Sequence, residues 1–151
     1  MKKGPCVKIG IVSDLHRHLP VFVERAFAGC ERILCAGDTE DERLLWQLQT
    51  IAPVVNVRGN NDWSIEVPFS ITTEIEGVTF FMVHRPNDIG TPAPGVQVVV
   101  HGHTHTPRDE TIAGVRYLNP GSPTYPRNSE ASCMVVELEN GQLVSVKVVE
   151  L

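Results

Sequence analysis

Residues 7–16, VKIGIVSDLH, read as a short apolar strand, Val7 to Val12, that stops on Ser13, Asp14, Leu15 and His16. The same plan recurs twice in the next fifty residues. RILCA, residues 32–36, ends in Gly37-Asp38, and PVVNV, residues 53–57, ends in Arg58-Gly59-Asn60-Asn61-Asp62. Two stretches of helical spacing lie between them. Leu19 to Gly29 has proline near its start and glycine at its end, as helix boundaries require. Asp41 to Thr50 carries acidic residues at its front, where the helix dipole favours them. The first sixty residues therefore alternate β-α-β-α-β, which predicts parallel strands joined by right-handed crossovers.

From Ser70 the alternation gives way to strands. ITTEIEGVTFFMVH, residues 71–84, holds a Glu-Gly turn between two strand-like runs and predicts a hairpin. Residues 95–100 predict a further strand, and residues 111–118 a pair of short strands about Gly114. Residues 134–138 and 143–149 predict two more, joined by Glu139-Asn140-Gly141. The segments 85–95 and 119–130 are rich in Pro, Gly, Ser and Asn. They are expected at the surface, where such loops line sites. No repeat or linker divides the chain, so residues 1–151 are expected to form one domain.

Composition narrows the function. A net charge of -5 argues against a general nucleic-acid-binding face. A nucleotide-type diester or a homo-oligomer is compatible with it. Cys6, Cys30, Cys35 and Cys133 form no C-x-x-C pair, so a zinc ribbon or a thioredoxin-type motif is not expected. The start, MKKGPCVKIGIVSD, contains no secretory apolar region, and no run reaches the roughly 18 apolar residues of a membrane span. The expected location is a reducing cytoplasm.

The polar residues fall at strand ends. VTFFMV ends in His84, and VQVVV, residues 96–100, ends in His101-Gly102-His103-Thr104-His105. Five apolar strands thus each deliver carboxylate, amide or imidazole at the carboxyl end, where open α/β sheets gather their ligands. Taken singly, Gly37-Asp38 or Gly59-Asn60-Asn61-Asp62 is ordinary turn chemistry. Five together in one chain predict a shared site. Mixed Asp, Asn and His without Cys suits Mn, Fe, Zn, Co or Ni better than Ca or Mg. Asp14-x-His16 and His103-x-His105 have alternate spacing, which in extended backbone sends both side chains the same way. Asp38, at the end of the middle strand, is the expected bridge between two ions. His101 falls one alternation early and is expected to support a ligand, and His18 to reach substrate from its loop.

The ordered set Asp14-Leu-His16, Gly37-Asp38, Gly59-Asn60-x-Asp62, His84 and Gly102-His103-Thr-His105 resembles the calcineurin-like metallophosphoesterase superfamily. Chain length and Asn119-Pro120-Gly121-Ser122 make it similar to the small bacterial and archaeal phosphodiesterase branch, which the retromer scaffold subunit also resembles. The resemblance implies an α/β fold, a four-layer α/β/β/α sandwich of two mixed sheets. It implies one metal on Asp14, His16, Asp38 and His105, and a second on Asp38, Asn60, His84 and His103. These would be two divalent transition-metal ions, Mn or Ni first and Zn, Fe or Co as alternatives. A hydroxide between them would attack a small phosphodiester. Asp38, Asn60 and Asp62 are expected to be catalytic. Arg17, His18, Arg58, Asn61 and Arg85 are expected to contact substrate.

Two positions depart from the superfamily pattern. Asn61 stands where many members have a histidine that protonates the leaving oxygen, and Arg85 follows His84 where glycine is usual. The rival expectations are a non-catalytic scaffold on the same fold and a phosphomonoesterase or protein phosphatase. All four expected histidines are present, which a degraded site would not retain.

Overall fold

The computed structural model describes residues 6–151. The reading of the extreme N-terminus, Met1 to Pro5, falls outside them. Two five-stranded mixed sheets carry the fold. The first contains β1 (Val7–Val12), β2 (Arg32–Cys35), β3 (Val54–Asn56), β9 (Ser132–Glu139) and β10 (Gln142–Glu150), in the order β10-β9-β1-β2-β3. Its first three strands are parallel, β9 joins antiparallel beside β1, and β10 joins antiparallel beside β9 at the edge. The second contains β4 (Ser70–Ile75), β5 (Val78–Val83), β6 (Val98–Val100), β7 (Arg108–Ile112) and β8 (Val115–Asn119), in the order β4-β5-β6-β8-β7. Here β5, β6 and β8 run parallel.

The sheets meet through inward-facing residues. Ile9, Ile11, Leu34 and Val136 from the first pack against Phe80, Met82, Val98 and Leu118 from the second. The other face of the first sheet is covered by α1 (Val21–Ala26) and α2 (Glu42–Gln49). Val23, Phe27, Leu44, Leu45 and Leu48 pack there on Val12, Ile33 and Cys35. The Asp41 carboxylate caps α2 by accepting the Arg43 N–H at 3.0 Å. In the half of the chain that builds the second sheet, the helical turn among the described residues is the 3-10 turn Pro86–Asp88. The outer layer on that side is thus almost free of helix.

Several boundaries differ from the sequence reading. The first helix is six residues rather than eleven, because Gly29 turns the chain at φ 85° and Phe27 already ends the regular turns. Residues 95–97 precede β6 rather than belonging to it. The hairpins turn at Glu76-Gly77, Ala113-Gly114 and Asn140-Gly141, with both residues of each pair at positive φ, the twist that two-residue hairpins favour.

The topology points six parallel strands at one edge of the molecule. Strands β1, β2 and β3 end there from one sheet and β5, β6 and β8 from the other. Both sheets therefore contribute side chains to one place.

Candidate metal centre

Left-handed backbone shapes the site. Asp14, His16, Arg17, Asp38, Glu40, His103 and His105 all have φ between 47° and 73°, a conformation that side-chain-bearing residues seldom adopt. The extended alternation expected from sequence is therefore not what aims Asp14 with His16, or His103 with His105. Left-handed residues at the strand ends do so instead. The backbone is held in that shape by pairing. Asp14, His16 and Arg17 donate their N–H groups to the carbonyls of Gly37, Asp38 and Thr39 at 2.9–3.0 Å. Ser122 Oγ donates to the Asp14 carbonyl at 2.8 Å, and Thr124 Oγ1 to the Leu15 carbonyl at 3.0 Å.

Two glycines admit this packing. A Cβ on Gly59 would collide with the Asp38 carboxylate and backbone nitrogen, and one on Gly102 with the Ser13 hydroxyl and Asp14 Oδ2. Gly59 and Gly102 thus let one strand end lie directly on another.

Three imidazoles are oriented alike. His84 Nδ1 donates to the Ala36 carbonyl at 2.6 Å, His105 Nδ1 donates to the Tyr125 carbonyl at 2.6 Å, and His16 Nδ1 meets the Glu40 carboxylate. Each ring therefore turns Nε2 toward the aspartates. His105 Nε2 stands 3.3 Å and His16 Nε2 3.7 Å from Asp14 Oδ1, and the two ring nitrogens are 3.2 Å apart. His84 Nε2 is 3.3 Å from Asp38 Oδ2 and 3.7 Å from Asp14 Oδ1. Asp14, His16 and His105 form one triad that could hold a metal ion, and Asp14, Asp38 and His84 a second.

The residues fit a metal. Asp14 Oδ1 and His84 Nε2 are buried without a hydrogen-bond partner. Leaving such atoms bare is costly, and a divalent cation would satisfy both. Imidazoles whose other nitrogen is held by a carbonyl or carboxylate are the usual form of metal-ligating histidine.

Charge agrees with this picture. Burial opposes the Asp14 charge, but His105, His16 and His84 around it hold its carboxyl below the usual range. Asp14, and then Glu40, push His16 up to about 9. Burial opposes a charge on His84, yet Asp38 and Asp14 raise it. Burial likewise opposes the Asp38 charge, and His84 with Asn61 lowers its carboxyl nonetheless.

Other expected residues take different places. His103 stands outside the two groups, and Asn60 lies beside it. His103 Nδ1 pairs with Asn60 Oδ1 at 3.2 Å on the rim, with the His103 ring 5.3 Å from that of His84. Asp62, expected to be catalytic, is 1% exposed. Its carboxylate accepts the backbone N–H groups of Asp38 and Glu40 at 2.8 Å and of Gly59 at 2.7 Å, so it positions the strand ends. Asn61, expected against substrate, donates its backbone N–H and Nδ2 to the two oxygens of Asp38 at 2.9 and 3.0 Å. His18 is exposed and lines neither cleft described below. His101 is buried, donates Nδ1 to the Gly102 carbonyl and faces Arg108 through Nε2 at 3.2 Å. It supports the loop that carries His103.

Sequence reasoning missed Glu40, Asn119 and Ser122 as supports. Asn119 Nδ2 donates to the Gly102 carbonyl and Thr104 Oγ1 at 3.2 and 2.9 Å. Their signal was present: β8 is another parallel strand ending in an amide, and Glu40 lies two residues beyond Asp38.

Two clefts flank the triads. One, of about 560 Å³, is lined by Arg58, Asn60, Trp63, Phe69, His84 and Arg85, among others. The other, of about 600 Å³, is lined by His16, Arg17, Glu40, His105, Tyr125 and Arg127, among others. Arg17, Arg58 and Arg85 therefore do border the site, and Arg127 adds a fourth cation.

Residues 7–141 match the model of the calcineurin-like phosphoesterase superfamily domain. The chain is 36% identical over 152 residues to a probable metallophosphoesterase of Methanothermobacter thermautotrophicus, covering 89% of this chain and 88% of that one. It is 27% identical over 139 residues to a protein named phosphodiesterase from Methanocaldococcus jannaschii, covering 76% and 83%. Vps29 of Entamoeba histolytica, solved with Zn2+, shares the fold with a TM-score of 0.74 at 22% identity, over 96% of this chain and 98% of that one.

Proposed function

This chain belongs to the calcineurin-like phosphoesterase superfamily, and from that membership we propose that it is a dinuclear-metal-dependent phosphodiesterase acting on small diesters. The observation that carries the proposal is the set of three histidines that hold Nδ1 on an oxygen and turn Nε2 onto Asp14 and Asp38. The first ion is assigned to Asp14, His16, Asp38 and His105. The second is assigned to Asp38, His84, Asn60 and His103, the last two closing in from the rim. Mn2+ or Ni2+ suits this oxygen and nitrogen set, with Zn2+, Fe2+ and Co2+ next. The Zn2+ in the Entamoeba histolytica Vps29 structure supports a divalent ion on this fold.

Asp38 is assigned as the bridge although Asp14 is the carboxylate common to both triads. Asp14 has one oxygen to offer, because Oδ2 already accepts the Ser13 hydroxyl at 2.8 Å and the His103 N–H at 3.0 Å. Each Asp38 oxygen accepts a bond from Asn61 and keeps a lone pair free.

Bound ions supply Lewis acidity and lower the pKa of a water at the phosphorus. The chain's own residues do the rest. Asp62 and Asn61 fix the Asp38 carboxylate, and Glu40 fixes the His16 ring. Arg58 and Arg85 on one side, and Arg17 and Arg127 on the other, offer cations to the phosphate and its two ester arms. A cleft on each side of the triads suits a diester better than a monoester, and the Methanocaldococcus jannaschii phosphodiesterase supports the same choice.

Protein stripped of metal and reloaded with Mn2+ or Ni2+ should hydrolyse bis(4-nitrophenyl) phosphate much faster than 4-nitrophenyl phosphate. Full metal loading with no turnover of either ester overturns the reading in favour of a scaffold.

A further inference from the structure

The cleft beside His84 and Asn60 contains two aromatic rings that the chemistry above does not use. Trp63 is 82% exposed and Phe69 is 68% exposed, although both are residues whose burial is strongly favoured. Neither hangs from a loose segment. Trp63 directly follows Asp62, whose carboxylate is bonded to three backbone N–H groups, and it precedes buried Ile65, whose N–H returns to the Asp62 carbonyl. Phe69 follows Pro68, whose carbonyl accepts the Arg58 N–H at 2.8 Å. The Arg58 guanidinium lies 5.5 Å from the Phe69 ring centre. Both rings are therefore anchored to the loop that presents Asn60, and both line the same cleft as His84 and Arg85.

We propose that this cleft is the subsite for one ester arm of the substrate, and that the arm is a planar ring of aryl or nucleobase type stacked on Trp63. This rests on the phosphodiesterase reading. A flat, open ring held beside a phosphate site binds other flat rings with little sequence or shape demand. Arg58, already placed against Phe69, closes the flank of the cleft and brings a cation to the phosphate end of the same arm. The second cleft has Tyr125 and two arginines, so the arms differ in what they meet: Trp63 and Phe69 on one side, a single tyrosine on the other.

The test reads Trp63 directly. The chain has two tryptophans, and Trp46 on α2 lines neither cleft of the metal centre. Trp46→Phe therefore leaves Trp63 as the one tryptophan reporter. In the metal-loaded variant, adenosine 5′-monophosphate should quench Trp63 emission saturably, while ribose 5-phosphate should bind without quenching. Phenyl phosphate distinguishes the two kinds of ring: quenching equal to that of the nucleotide means that any aryl arm suffices, and weaker quenching means that a nucleobase is preferred. In the otherwise unmodified chain, Trp63→Ala should weaken nucleotide binding about tenfold or more and leave ribose 5-phosphate unchanged. Equal affinity for the nucleotide and ribose 5-phosphate, with Trp63→Ala moving neither, overturns the proposal. Ring discrimination without hydrolysis of any diester removes the phosphodiesterase reading and keeps the subsite. Diester hydrolysis indifferent to Trp63→Ala does the reverse.

Discussion

The Asp62 carboxylate accepts the backbone N–H of Asp38 at 2.8 Å, so one aspartate fixes the main chain of another. The same carboxylate holds Glu40 and Gly59. Replacing Asp62 by alanine strands three N–H groups at a buried position, at about 1–3 kcal/mol for each group left bare. Asp62→Ala should therefore lower the urea midpoint markedly and reduce metal content with it. Asp62→Asn keeps an acceptor oxygen and should lose less of both. Wild-type stability and metal content in Asp62→Ala would remove Asp62 from its positioning role.

Metal counting separates the two aspartates of the centre. About two ions per chain are expected in protein loaded with Mn2+ or Ni2+. Asp38→Ala should lose both if Asp38 is the bridge, and Asp14→Ala should lose mainly the ion shared with His16 and His105. The reverse result, with one ion kept in Asp38→Ala and none in Asp14→Ala, assigns the bridge to Asp14. Elemental analysis on both variants decides it.

The proton on His16 gives metal-free protein a distinct pH response. Its folded pKa, about 9, lies above the ordinary value of 6.5. Its contribution to stability is then complete below about pH 6.5 and is lost as the pH rises through 9. His84 shifts in the same direction. Asp14 and Asp38 are shifted down, so their contribution is present above the ordinary carboxylate range and is lost on acidification. The Tm of metal-free protein should fall between pH 6.5 and 9. Metal displaces the proton, so affinity should rise about tenfold per pH unit over the same window. A flat Tm and a flat affinity from pH 6.5 to 9 would contradict the assignment.

Asn61 gives the fourth prediction. No imidazole stands there to protonate a poor leaving alkoxide, so alkyl diesters should react far more slowly than aryl diesters. Asn61→His supplies a donor of the kind that contributes about a hundred- to ten-thousand-fold. It also removes the Nδ2 bond to Asp38. With saturating metal the alkyl rate should rise more than the aryl rate, while metal affinity falls. Equal alkyl and aryl rates in the unmodified protein would reveal another acid.

The parallel core and the gathering of Asp, Asn and His at its strand ends were legible because both follow from local pattern. Apolar strands that stop on Asp, Asn or His announce where a sheet ends and a site begins. The pairing of β9 beside β1 was not legible, since it joins residues more than a hundred positions apart with no local signal. Backbone handedness was hidden as well. Asp14, His16, Asp38, His103 and His105 occupy a region usually left to glycine, and only tertiary hydrogen bonds hold them there. The same gap explains Asp62 and Asn61. An acid or amide beside a ligand reads as chemistry in sequence, and only the folded chain reveals that both face Asp38.

The first triad takes Asp14 and His16 from one sheet and His105 from the other, and His16 and His105 are 89 positions apart in the chain. An ion held there is a cross-link as well as a reagent. It closes a long loop in a chain whose cysteines are all free, as a disulfide closes one in a secreted protein, and loop closure of that length restricts the unfolded chain substantially. Unlike a disulfide, this tie is set by metal supply. The working state of the site and the fastening of its two sheets would therefore rise and fall together with the concentration of a single ion.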